Sequence, residues 1–196
     1  MEKLRDEKAS SWNLPATVDL RAFYNGQKLF YARQAIYIIT QIPTLVSDTE
    51  YNTVARAFAD AGDDEEALRY CEKAIAAAPS DYYKALNIRS YAGILVRSGQ
   101  LELGRQKYEE AIKLVGGNTD NALWFRGETL QRWARIESMR GDQASADELF
   151  NRAHAEYTTI DFLPRQREGL ANLQAIREKK TMPEKLNLAA EESTHK

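Results

Sequence analysis

Cysteine occurs once in these 196 residues and histidine twice. A single thiol closes no internal disulfide, and so few ligands make a multi-ligand Cys/His zinc site untenable. Five prolines and ten glycines are few for a turn-rich all-β chain. Long apolar runs are missing as well. The best stretch, residues 35–42, is interrupted by Thr40 and Gln41 and stops at Pro43, short of the roughly 20 residues a membrane helix needs. The charged start, Met1 to Lys8, has no apolar core behind it of the kind a secretory signal carries. The expected location is cytoplasmic, with which the lone Cys71 agrees; an anchor upstream in a longer parent chain would change that reading. Nor does one sign of charge dominate. The 27 Lys and Arg face 29 Asp and Glu, a net −2, which argues against wholesale nucleic-acid binding or direct membrane insertion.

Catalytic constellations are also lacking. His154 and His195 lie in distant segments, and Cys71 falls on the apolar stripe of its helix, the place of a small buried hydrophobe. Neither GxGxxG nor GxxxxGK[ST] occurs. Asp63-Asp64-Glu65-Glu66 opens a helix, where the dipole favours acids without any bound cation. Gly116-Gly117-Asn118 reads as an ordinary helix ending. The expectation is a non-enzymatic chain with no cofactor and no metal.

What the chain does have is a period. Gly26, Gly62, Gly99 and Gly141 are 36, 37 and 42 residues apart. Tyr51-x-x-Val54-Ala55-x-x-Phe58, Gly62-Asp63, Ala67-x-x-x-Cys71, Ala74 and Pro79 form one unit. Ile88-x-x-Tyr91-Ala92-x-x-Leu95, Gly99, Gly104-x-x-x-Tyr108 and Ala111 form the next. Leu130-x-x-Trp133-Ala134, Gly141-Asp142, Ala146-x-x-x-Phe150 and Ala153 form a third. Apolar residues three and four apart predict two amphipathic helices per unit, with the glycine between them. Small residues (Ala55, Ala92, Ala134, Ala67, Gly104, Ala146) let helices approach, and Tyr91, Tyr108, Trp133 and Phe150 fill the gaps. Ser47-x-x-Glu50 and Asp63-x-x-Glu66 resemble capping boxes, and Ser80-Asp81 and Thr119-Asp120 precede the next two first helices.

Through these residues the chain resembles the tetratricopeptide repeat (TPR) family over roughly residues 47–158. The expected units are 47–81, 82–117 and 118–158. The resemblance implies an all-α fold, a right-handed superhelix of antiparallel helix pairs. Two departures stand out: Glu137 occupies a slot for an apolar residue, and Gly116 and Thr158 replace closing prolines. Residues 17–46 read either as a degenerate early repeat, with Gln27–Ile42 as its second helix, or as one long capping helix from about Asp19 to Gln41. In both cases Phe23, Leu29, Phe30, Ile36 and Ile39 should cover the end of the stack. Leu170, Leu173 and Ile176 predict a capping helix over 164–180. Residues 1–16 read as a charged irregular segment and 181–196 as a mobile tail.

The charges divide by helix. First helices (48–61, 82–98, 122–140) sum to +3, and second helices (63–78, 100–115, 142–157) to −6. In the family resembled, first helices line the concave binding surface, so the groove should be locally basic. Its candidate residues are Asn52, Arg56, Arg89, Arg97, Gln131, Arg132 and Arg135, with Arg56, Arg89 and Arg135 as a ladder suited to carboxylates. The clamp by which one subgroup holds C-terminal carboxylates is disfavoured. Its slots hold Asn52, Arg56, Ser90, Glu128 and Arg132, of which only Arg132 fits. The function expected is a scaffold or adaptor binding a protein or peptide partner, with acidic segments favoured. The alternatives are a self-associating module forming a homodimer through Tyr31, Tyr37 and Ile38, and an effector domain binding a signalling molecule.

Overall fold

The computed structural model of the chain describes residues 20–41 and 46–177. The segment 1–16 and the tail 181–196 lie outside the described residues, as do the side chains of Phe23, Ile38 and Ile39. The described residues form α1 (Leu20–Gln41), α2 (Asp48–Ala61), α3 (Asp64–Ala77), α4 (Asp81–Arg97), α5 (Leu101–Leu114), α6 (Asp120–Met139), α7 (Gln143–Thr158) and α8 (Leu163–Arg177), with no strand among them. The fold is all-α.

Local chemistry sets the boundaries. Ser47 caps α2 in a full capping box with Glu50, and its backbone N–H donates to that carboxylate at 2.8 Å. Asp63, Thr119 and Asp142 cap α3, α6 and α7 by accepting from backbone N–H groups three residues on. Ser80 makes no side-chain cap bond, so α4 starts without the one expected there. The turns after α2, α4 and α6 place Gly62, Gly99 and Gly141 at φ of 84–88°, a left-handed conformation that a Cβ would strain. Gly26 lies inside α1, which runs unbroken as one helix. The degenerate early repeat is therefore not formed.

Each short turn folds a helix back on its predecessor, giving the pairs α2–α3, α4–α5 and α6–α7. The small residues sit at the closest approaches: Ala55, Ala67, Ala92, Ala134 and Ala146 are completely buried. Trp133, also buried, stacks on Tyr108 of α5 with ring centroids 5.4 Å apart and planes 9° from parallel. Tyr157 of α7 is held between two glycines. A Cβ on Gly127 of α6 would lie 2.6 Å from its ring, and one on Gly169 of α8 would lie 2.5 Å away. Leu173 is buried and Leu170 and Ile176 pack beside it, so α8 closes its end of the core as its stripe predicts. At the other end Leu29, Ala35 and Ile36 of α1 pack on the α2–α3 core. Phe30, expected to cover that end, points outward and is 58% exposed.

Glu137 is the main departure from the apolar pattern, and it is completely buried. Arg105 of α5 reaches it with Nε at 2.8 Å and Nη2 at 2.9 Å, and the Trp133 indole N–H donates at 2.8 Å. Burial alone would raise its pKa, but the Arg105 and Trp133 hydrogen bonds outweigh burial and hold it below the ordinary value. A charge thus replaces a hydrophobe by bringing its own counter-ion.

Candidate functional site

The first helices of the three pairs, α2, α4 and α6, lie side by side, α2 touching α4 and α4 touching α6. Two buried or half-buried polar pairs stitch them with one register. Asn87 of α4 donates to Asp48 of α2 at 3.0 Å, and Arg89 of α4 donates to Glu128 of α6 at 2.9 Å. Both pairs span 39 residues. Candidate residues Asn52 and Arg56 stand on α2, Arg89 and Arg97 on α4, and Gln131, Arg132 and Arg135 on α6.

The side chains do not form the ladder of three available arginines expected from the sequence. Arg89 has a side chain only 12% exposed, is ion-paired to Glu128, and lies 5.1 Å over the Phe125 ring. Arg97 turns away at the end of α4 and donates to Asp64 in the first turn of α3 at 2.9 Å. The Gln131 side-chain oxygen is taken up by the Tyr157 hydroxyl, which donates to it at 3.0 Å. Arg56 is exposed. A further base of α6, Arg126, is spent on Glu156 and on the carbonyls of Val115 and Gly117.

What the wall does gather is Arg89, Glu128, Arg132 and Arg135. Arg132 is the exposed member, its Nη2 3.8 Å from Glu128. Arg135 follows one turn later on α6 and is half-buried. Burial first, and then the nearby charge of Arg132, pull both Arg89 and Arg135 below the ordinary guanidinium value. Both stay charged, because arginine starts so high. Arg89 and Arg132 therefore share one carboxylate, and Arg135 stands near Arg132 with no paired carboxylate among the described residues.

Two buried side-chain polar atoms lack a hydrogen-bond partner among the described residues: the Arg135 Nη2 and the Asn52 Oδ1. Buried polar groups are nearly always satisfied, so an orphan calls for a partner. One of these is a donor and the other an acceptor, on α6 and α2 respectively. Both belong to the stripe that helical spacing selects. The residue whose role the sequence reading missed is Glu128, which entered it only as a slot that does not fit the carboxylate clamp. Its 39-residue offset from Arg89, close to the repeat period, is the signal that could have identified it as an internal counter-ion.

Other features offer less. A recess of about 810 Å³ beside α5 is lined by Glu102, Arg105, Glu109, Lys113 and Trp133, but Glu102 pairs with Arg105 and Glu109 with Arg152. Burial and, secondarily, the charge of Glu72 push the Cys71 thiol up to about 12, so the thiolate a nucleophile needs is suppressed. Among the described residues no group of His, Cys, Asp and Glu is placed to hold a metal, and no helix is long and apolar enough to cross a membrane. Neither a scan against protein-family models nor searches of curated proteins and of solved structures find a match to this chain.

Proposed function

We propose that the chain is a non-enzymatic scaffold of the tetratricopeptide-repeat kind, whose α2–α4–α6 wall lines the groove of a superhelix and binds an extended acidic segment of a protein partner. The observation that carries this reading is the pair of orphaned atoms, Arg135 Nη2 and Asn52 Oδ1. An extended peptide offers both complements: backbone N–H groups for Asn52, and carboxylate or carbonyl oxygens for Arg135. The three guanidiniums of Arg89, Arg132 and Arg135, set against the one carboxylate of Glu128, favour an anionic occupant at that cluster. The common 39-residue register of the stitching pairs supports a repeating array.

A random peptide display library panned on the full chain tests the reading. Selected sequences should be rich in Asp and Glu, and the enrichment should vanish with Arg132→Glu, a substitution at an exposed site that leaves the core alone. Selection with no acidic bias, or a bias indifferent to Arg132, would overturn it.

A second reading rests on α1. Phe30 and Tyr31 meet edge to face at 5.7 Å and are 58% and 66% exposed, a surface through which two copies could pair. Light scattering decides it, since a monomer at high concentration excludes such pairing.

A further inference from the structure

We infer that the Arg89–Arg132–Arg135 cluster binds a dianion, and that it takes a phosphorylated Ser or Thr of the partner segment in preference to a single carboxylate. This rests on the acidic-segment reading and narrows it. Charge arithmetic at the cluster is the starting point. Arg89 and Arg132 converge on the two oxygens of Glu128, Oε2 at 2.9 Å and Oε1 at 3.8 Å, while Arg135 brings a third charge and no internal anion to meet it. The local balance is three positive charges against one negative, an excess of two. A lone carboxylate would leave one charge uncompensated, whereas a phosphate monoester carries about −1.5 to −2 at neutral pH.

Donor geometry points the same way. Glu128 engages one nitrogen each of Arg89 and Arg132, and the long 3.8 Å contact leaves Arg132 only loosely held. Its side chain is 59% exposed and can swing toward a ligand. Arg135 Nη2 is buried and directed to no protein acceptor, so an anion that draws this side chain outward gives it the partner it lacks. A phosphate group presents three acceptor oxygens where a carboxylate presents two, and so can engage Arg132 and Arg135 together. The Arg89–Glu128 pair is neutral as a unit and stays closed, so the excess charge is that of Arg132 and Arg135.

The experiment is a substitution scan along one acidic peptide selected on the full chain. Each position carries in turn Ser, Glu or phosphoserine, and affinity is read by fluorescence anisotropy. At one position phosphoserine should bind about tenfold tighter than Glu. Arg135→Gln should bring the two forms to the same affinity, with thermal melting no lower than that of the native chain. Equal affinity for Glu and phosphoserine at every position would overturn the dianion inference and leave the acidic-segment reading standing. A preference that survives Arg135→Gln would overturn it too, by placing the phosphate elsewhere. Failure to select any acidic peptide would bring down both.

Discussion

Replacing Glu137 should cost more than replacing any other charged side chain described here. The carboxylate accepts three hydrogen bonds, two from Arg105 and one from Trp133, and has no contact with solvent. Glu137→Gln keeps the shape but turns one oxygen into a donor facing another donor. At least one charge-assisted bond is lost and one partner is left facing an N–H, a loss of about 2–3 kcal/mol. Breaking a fully buried pair costs about 3–5 kcal/mol. The lower figure applies because Arg105 is 28% exposed and keeps Glu102 and Asp142. For a chain of this size that is a fall in Tm of roughly 4–12 °C. The pH dependence has a definite sign. The folded-state pKa lies below the ordinary glutamate value, so the stabilisation is complete above the unfolded pKa and is lost as pH falls through the folded one. The gap between native chain and Glu137→Gln, followed by circular dichroism, should be constant near neutrality and close below about pH 4. A variant melting with the native chain, or a gap indifferent to acid, would refute the buried ion pair.

Removing the orphaned guanidinium should act in the opposite direction: Arg135→Met should hold or raise stability by about 1 kcal/mol, since it deletes an unsatisfied donor, and a clear drop in Tm would mean Arg135 has a structural partner. Gly169→Ala should lower stability by about 1–3 kcal/mol through overpacking against Tyr157, and Gly127→Ala similarly; urea titration measures both. Cys71, with its thiol at about 12 and no exposure, should resist a disulfide reagent in the native state and react at once in denaturant. Arg89→Glu should destabilise the chain by setting two carboxylates face to face at the Glu128 contact, measurable as a Tm below that of Arg132→Glu.

Helix placement was legible because it depends on local chemistry. Capping residues, turn glycines and apolar spacing act within a few residues, and they left their marks at the predicted places, except that Ser80 makes no cap bond before α4. The candidate stripe was legible for the same reason, since helical periodicity alone puts Asn52 and Arg135 beside the packed face. What the sequence could not supply was how each charge is spent. Arg89 and Arg135 occupy equivalent stripe positions, yet the first meets Glu128 and the second leaves its Nη2 without a partner among the described residues. That difference depends on contacts between separate helices. Phe30 and Ile36 likewise share a helix, and only packing against α2–α3 decides that one points outward and the other inward. Glu137 read as a flaw in the pattern because its counter-ion lies 32 residues upstream.

The most direct test is a crystal structure of the full chain with a peptide selected for binding. The account predicts that the peptide lies along α2, α4 and α6, with a carboxylate or phosphate oxygen within hydrogen-bond distance of Arg135 Nη2 and a peptide N–H on Asn52 Oδ1. A peptide seated on α1 or beside α5, with Arg135 Nη2 satisfied by ordered water alone, would contradict it.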